Sequence, residues 1–168
     1  MITVLLVVAF IFIPFFLSVL LNLLPIISNH YRSKEEINSF KALSRVNSNV
    51  FFENIRAKLR ITTGNKEYLN LVNSCDIHLS ENYIVFILFQ TFPWKLYHYP
   101  VLFAEKIEIL NNIGVSHRYK PEKIVFKEVV KDEVEIIYKV MHQRRILRIK
   151  GLNQSQKQQL EKIKNWYL

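Results

Sequence analysis

The first pattern along the chain is an apolar run over residues 2–27, in which 20 of 26 side chains are Leu, Ile, Val or Phe. The first 30 residues contain no Lys, Arg, Asp or Glu. At 1.5 Å per residue a helix over this run would measure about 39 Å, more than the ~30 Å hydrocarbon core of a bilayer. The pattern therefore predicts a transmembrane anchor over residues 1–30, with a kink at Pro14, which membrane helices tolerate.

A cleavable signal peptide is the alternative interpretation of the same run. Such a peptide has a basic segment, a short apolar core and small residues at its cleavage site. No basic residue precedes this run, and no A-x-A pattern follows it around Ser28 and Asn29. We therefore expect an anchor that stays in the mature protein.

The charges beside the anchor predict its orientation. Arg32, Lys34, Lys41 and Arg45 all follow the apolar run within about 20 residues, and positive flanking charge marks the cytoplasmic side of a membrane helix. The sequence thus predicts a single-pass protein of an inner or plasma membrane, with its C-terminal domain in the cytoplasm.

Residues 31–62 are expected to form a helical connector. Ser33 and Glu36 match a capping box, and Ile37, Phe40 and Leu43 recur on one helical face. This short amphipathic helix would lead the chain from the anchor or lie on the lipid headgroups, and residues 47–49 would end it. The segment that follows, residues 50–61, has both helical and strand periodicity, so its structure stays open.

From residue 63 onward the pattern is mostly that of β-strands. Short runs with alternating apolar side chains are separated by turn residues, which is typical of an antiparallel sheet. The predicted strands cover residues 75–79, 83–89, 96–99, 101–109, 124–130, 133–141 and 144–150. A closing helix follows, capped by Asn153 or Ser155, with Leu160, Ile163 and Trp166 on one face. Residues 63–168 thus form an α+β domain of six or seven strands with a C-terminal helix.

Residues 83–103 also raise the alternative of a second span or a re-entrant hairpin. This segment carries a single charge, Lys95, but Pro93 and Pro100 interrupt it. Its longest apolar stretch has the length of a strand. We therefore expect strands here.

The order of elements in residues 70–168 resembles the pleckstrin-homology-like (PH-like) superfold, in particular the small membrane-anchored bacterial domains related to GRAM domains. The resemblance rests on the hairpin pattern of residues 75–86, the start of a strand at residues 99–103, and the closing helix with Trp166. It implies a bent, nearly closed antiparallel barrel, capped at one end by the helix, with a binding role. The small number of glycines, 3, departs from the pattern of such bent strands.

The net charge of +9 lies mostly near the C-terminus, where residues 139–168 hold eight basic residues and one acidic residue. Beside an anchor, the nearest polyanion is the lipid surface, and each nearby basic side chain contributes about 1 kcal/mol of attraction. A merely solvated basic face is an equally good interpretation. The candidate lipid- or partner-binding residues are Lys139, Arg144, Arg145, Arg148, Lys150 and Lys157. Trp94 and Lys95 are candidates for contact with the membrane interface.

Motifs for catalysis or metal binding are not found in the sequence. The five histidines are scattered, and Cys75, the only cysteine, lies in a predicted strand as a core residue. The aromatic residues around Trp94 lack the basic groove that nucleic-acid stacking surfaces have. We expect no enzymatic activity, no cofactor, no metal, no small-molecule substrate and no nucleic acid.

The predicted function is that of a membrane-tethered binding or scaffolding domain that docks on anionic lipid or on a partner protein. Two alternatives from other classes stay open: a subunit of a membrane enzyme complex, whose site a partner completes, and a nucleic-acid-binding membrane protein, which the charge alone suggests.

Overall fold

The structure is a computed structural model that describes residues 2–44, 50–70, 72–91, 95–98, 100–106, 108–109, 123–130 and 132–166. The predicted helix break at residues 47–49 and the side chain of Trp94 lie outside these ranges. So does part of the predicted strand 101–109. In the described part of that strand, pairing ends at Ala104 and a bend follows.

A single helix, α1 (Ile2–Ser44), begins the chain and includes both Pro14 and Pro25. Within it, the segment Phe12–Asn38 is long and apolar enough to cross a membrane, with a mean hydropathy of 1.8. The side chains of residues 12–28 are all exposed, whereas the core helix of a soluble protein is mostly buried. Ser33 lies inside α1, so the predicted capping box does not start a separate helix.

Nine strands follow in the described part of the chain, and all of their pairings are antiparallel. Their bounds are β1 (Val50–Thr63), β2 (Lys66–Asn70), β3 (Ser74–Leu79), β4 (Tyr83–Gln90), β5 (Leu96–Tyr97), β6 (Val101–Ala104), β7 (Lys123–Val130), β8 (Glu133–Val140) and β9 (Gln143–Lys150). The strand order is β5-β4-β3-β1-β9-β8-β7, with β2 paired to β1 and β6 paired to β4. The mostly antiparallel β-domain is thus confirmed, but with more strands than predicted.

The long strand β1 joins the two halves of this sheet. Its first half pairs with β3, and its second half pairs with β9 and β2. The register shifts between Phe52 and Ile55, where Asn54 has a φ of 53°. Asn is one of the few residues that tolerate this left-handed conformation, and a bulge of this kind bends a strand. Residues 50–62 therefore belong to the sheet, and the predicted helical connector over 31–62 is wrong for this part.

The main core lies on the concave face of the sheet. The ring of Phe103 on β6 packs edge-on against Phe86 of β4 at 5.5 Å and against Tyr138 of β8 at 5.3 Å, measured between ring centroids. Since β8 and β4 are distant in the strand order, the sheet curls to bring them together. The sheet is nevertheless open, because within the described strands no pairing joins its β7 edge to β5 or β6.

A short C-terminal helix, α2 (Gln154–Leu160), continues into a 3-10 turn (Glu161–Asn165) and covers this core. Asn153 caps α2: its side chain accepts from the Gln156 N–H, and the Gln156 side chain accepts from the Asn153 N–H. Leu160 and Ile163 are fully buried in the core, with Trp166 packed against it. The predicted C-terminal helix and its cap are confirmed.

The opposite face of β4 is buried as well, which explains why every side chain from Tyr83 to Phe89 is shielded from water. A second apolar cluster there includes Val85 and Leu102, and Ile37 of α1 belongs to it. Earlier on α1, the His30 Nδ1 accepts a 3.0 Å hydrogen bond from the Tyr97 N–H, and the two rings stack. The end of α1 therefore packs directly on the β-domain.

Candidate anion-binding site

A cavity of about 500 Å³ opens where the start of β3 and the ends of β4 and β9 lie beside the middle of β1. Four basic side chains line one part of it: Arg56 and Lys58 from β1, and Arg148 and Lys150 from β9. Asn73, Ser74 and Thr91, which lie at the start of β3 and the end of β4, line the rest. The cavity thus combines positive charge with hydroxyl and amide groups, the side-chain chemistry that binds phosphate and carboxylate oxygens.

The pairing of β1 with β9 brings these charges together. Arg56 lies opposite Lys150, and Lys58 lies opposite Arg148. Alternation along a strand puts Arg56 and Lys58 on one face, whereas the intervening Ala57 is buried in the core. Like charges directly opposite each other in an antiparallel pair are destabilising. The sheet therefore concentrates positive charge here at a cost in stability.

Two glutamates of β8 offset part of this charge. Arg148 contacts Glu133 at 3.0 Å and Glu135 at 2.6 Å, while Lys150 contacts the second oxygen of Glu133 at 2.6 Å. The hydrogen bond to Glu135 and the two carboxylate charges raise the pKa of the Arg148 guanidinium above its ordinary value. The two basic residues of β9 are thus held in place by charge-assisted hydrogen bonds.

Arg56 and Lys58, by contrast, have no carboxylate partner among the described residues. Both side chains are exposed. The next basic residue on this face of β1, Arg60, is paired with Glu67 at 2.7 Å and lies outside the cavity. The unneutralised positive charge of the site is therefore that of Arg56 and Lys58.

The predicted basic residues lie in three different environments. Arg148 and Lys150 line the cavity, whereas Lys139 and Arg144 lie opposite each other near the β8–β9 turn and are exposed. Arg145 faces the core side beside Tyr138 and donates to the Gln143 side chain at 2.9 Å. Burial raises the pKa of Tyr138 to about 12, and the positive charge of Arg145 opposes that effect.

Lys157 is the most deeply buried of the predicted basic residues. Its side chain is only 4% exposed, and its ammonium group is paired with Glu128 of β7. This pair joins α2 to the edge of the sheet. Lys157 therefore has a structural role in the described fold, and its charge is not presented to the surface.

Lys95, the described member of the predicted membrane-interface pair, lies just before β5. Its Nζ atom is 4.0 Å from the centroid of the Phe89 ring and 5.2 Å from that of Tyr97. Because Tyr97 also contacts His30, Lys95 is close to the point where α1 meets the sheet. Its ammonium group is exposed and is attracted to the ring faces.

Arg56 and Lys58 were not among the residues singled out from the sequence. They lie in residues 50–61, where helical and strand periodicities compete. The alternation of Ala57, Lys58, Leu59, Arg60 and Ile61 is the signal that could have identified them as the polar face of a strand. Their position opposite Arg148 and Lys150 depends on strand pairing, which the local pattern does not specify.

The described part of the chain offers little chemistry for metal binding or for a reactive thiol. No group of three or more His, Cys, Asp or Glu residues there is arranged to hold a metal ion. Cys75 is fully buried in the core, and burial, with the nearby Asp76 charge, raises the pKa of its thiol well above the ordinary value. A thiol in this state is a weak nucleophile.

Comparison of the chain with protein-family models, with curated proteins and with solved structures found no match.

Proposed function

We propose that this chain is a single-pass membrane protein whose β-domain is a non-enzymatic binding or scaffolding module at the cytoplasmic surface. The observation that carries the proposal is the course of α1. The apolar run of residues 2–27 continues within the same helix into residues that pack on the sheet, namely His30 and Ile37. An anchor joined in this way would hold the domain against the bilayer as a rigid body.

The short distance between the apolar segment and the domain supports a role at the lipid surface. His30 follows the apolar run of residues 2–27 by three residues, about 4.5 Å along a helix axis. The binding partners that this position favours are anionic lipid and a protein in or beside the same membrane. A curled antiparallel sheet with a closing helix is also what the proposed PH-like relationship requires.

The cytoplasmic orientation is supported by the charges that follow the apolar segment. Arg32 and Lys34 lie on exposed positions of α1, shortly after the apolar run of residues 2–27. Positively charged residues in such positions favour retention on the cytoplasmic side.

Alkaline carbonate extraction of membranes from cells that express the full chain tests the anchor. We expect the chain to stay in the membrane pellet with its apolar segment uncleaved. Release into the supernatant, or a mature N-terminus downstream of residue 27, would contradict the proposal.

Reporter fusions at the C-terminus test the orientation. We expect a reporter that folds only in the cytoplasm to be active, and one that is active only outside it to be silent. The opposite result would place the domain on the other side of the membrane.

Crosslinking in intact cells, followed by identification of the captured chains, tests the scaffolding role. We expect specific capture of membrane or membrane-associated proteins by the β-domain. Constant capture of one metabolic enzyme, together with loss of that enzyme's activity when the chain is deleted, would favour the enzyme-subunit alternative instead.

A further inference from the structure

We propose that the cavity lined by Arg56, Lys58, Arg148 and Lys150 binds the phosphate of an anionic lipid headgroup from the bilayer that α1 enters. This inference rests on the proposed function, because it requires α1 to be a membrane anchor. It goes further by naming the ligand class and the residues of the site.

The contacts of α1 determine which end of the domain faces the membrane. His30 lies against Tyr97, which pairs with Phe89 near the C-terminal end of β4. Ile37, seven residues later, belongs to the cluster that includes Tyr83, Val85 and Ile87, all of which precede Phe89 along β4. The helix therefore runs antiparallel to β4. The apolar run of residues 2–27, which precedes His30, projects beyond the C-terminal end of that strand.

One side of the cavity lies at this same end of β4. Thr91 directly follows β4, and Asn73 donates to its hydroxyl at 3.0 Å, which joins the end of β4 to the start of β3. Arg56 of β1 pairs with Ser74 on one side and with Lys150 on the other. The start of β3 and the end of β4, which line one side of the cavity, thus lie at the end of β4 from which the apolar run projects.

The charges of the cavity fit a phosphate. Arg56 presents a guanidinium fork, which matches two phosphate oxygens, and Lys58 adds a second unneutralised charge. A bound phosphate would relieve the repulsion between Arg56 and Lys150 and between Lys58 and Arg148. Glu133 and Glu135 keep the β9 side chains in place, so the site exists before its ligand binds.

A soluble phosphate ester has the same chemistry as a lipid phosphate. The position of the cavity favours the lipid, since the anchor keeps it beside a surface where headgroups are at high local concentration. We therefore expect that a phosphatidylglycerol bilayer fills the site and that free glycerol phosphate at micromolar concentration does not.

Hydrogen exchange of the full chain in lipid nanodiscs tests whether phosphatidylglycerol binds in the cavity. Three samples are compared: phosphatidylcholine alone, phosphatidylcholine with phosphatidylglycerol, and phosphatidylcholine with free glycerol 3-phosphate. We expect exchange at residues 56–58, 73–74 and 148–150 to slow several-fold only in the second sample, and the effect to fall with added salt.

Two double variants test whether the protection by phosphatidylglycerol arises at the cavity. Arg56→Gln with Lys58→Gln removes the unneutralised charges of the cavity. Arg60→Gln with Arg144→Gln removes the same number of charges from the same sheet face, outside the cavity. We expect the first variant to lose the lipid-dependent protection and the second to keep at least half of it. Both should unfold at temperatures no lower than the unmodified chain in phosphatidylcholine discs, which excludes misfolding.

Each contrary result overturns a defined statement. Carbonate-resistant protein with no response to phosphatidylglycerol would overturn the site and leave the anchor intact. If both double variants lose the lipid-dependent protection equally, the lipid is attracted by the surface charge as a whole and not by this cavity. If glycerol phosphate protects the same residues equally well, the lipid is not the specific ligand. Extraction by carbonate would refute the anchor, and the site with it.

Discussion

At the scale of single residues, Lys157 shows how the fold accommodates a buried charge. Its side chain is buried, and its ammonium group reaches Glu128, which is half exposed at the edge of the sheet. Removal of one member of such a pair leaves the other without compensation, whereas an apolar replacement of the buried member keeps the packing. The two members should therefore respond differently to substitution.

We predict that Glu128→Gln lowers the free energy of unfolding by about 1–3 kcal/mol, because the buried Lys157 ammonium loses its charged partner. Lys157→Met should cost less, since its side chain fills the same space without a charge. Thermal unfolding of both variants in the same detergent measures the difference. Glu81→Gln, at an exposed position in the β3–β4 turn, is the control and should change little. A larger loss for Lys157→Met would show that the pair does not govern stability here.

Cys75 is a second buried titratable group, and its raised pKa makes stability depend on pH. In the unfolded chain the thiol ionises near pH 8.5, whereas in the folded core it stays protonated. The buried, protonated Cys75 thiol thus contributes fully to the free energy of unfolding below pH 8.5. This contribution is lost as the pH rises above that value, because the unfolded chain is then stabilised by ionisation of the thiol. The loss is about 1.4 kcal/mol for each pH unit.

We therefore predict that the unfolding temperature falls more steeply between pH 8.5 and 10 for the native chain than for Cys75→Ala. Tyr138, which also has a raised pKa, contributes only above about pH 10, where the unfolded phenol ionises. Calorimetry of both chains across this pH range measures the slopes. Parallel curves would show that the Cys75 thiol ionises in the folded state.

At the scale of elements, α1 and β1 explain which structures local patterns could specify. The strands β3, β4, β7, β8 and β9 match the predicted runs closely, because each is a short apolar or alternating run bounded by turn residues. β1 was ambiguous because Phe51, Ile55 and Leu59 also recur at helical spacing. The bulge at Asn54 shifts the register within β1, so the apolar side chains before and after it do not follow a single two-residue alternation.

The packing of α1 on the sheet depends on Ile37, which is 2% exposed. We predict that Ile37→Ala weakens this packing by about 2–5 kcal/mol while the main core stays folded. The Tyr97 amide proton, which His30 accepts, should then exchange more than about tenfold faster. Hydrogen exchange of the full chain in nanodiscs measures this.

Glu35→Ala is the control for the Ile37 variant, since Glu35 lies two residues away on an exposed position of α1. It should leave the Tyr97 exchange rate unchanged. Unaltered exchange in Ile37→Ala would mean that α1 and the sheet move independently.

At the scale of the whole molecule, the direction of α1 along β4 orients the domain. Lys95 and Thr91 lie near the end from which the apolar segment projects, and Glu81 lies at the other end of β4. An eight-residue strand spans about 26 Å. The two ends should therefore lie at different distances from the lipid surface.

We predict that a fluorophore on Lys95→Cys transfers energy to a headgroup-labelled lipid more efficiently than one on Glu81→Cys. The buried Cys75 should not react, so each variant carries one label. Fluorescence energy transfer in nanodiscs measures both distances. Equal efficiencies would show that the domain lies on its side, with β4 parallel to the membrane.

The sequence by itself determined the apolar helix, most strands, the capped C-terminal helix and the core role of Cys75. These features arise from local periodicity, side-chain size and capping chemistry, which act over a few residues. Only the tertiary structure decided that residues 50–63 form a strand, that α1 continues to Ser44 and packs on β4, and that Lys157 is buried. It also decided that Arg56 and Lys58 meet Arg148 and Lys150. The physical reason is that strand register joins residues about 90 positions apart in the chain, and no local pattern encodes that pairing.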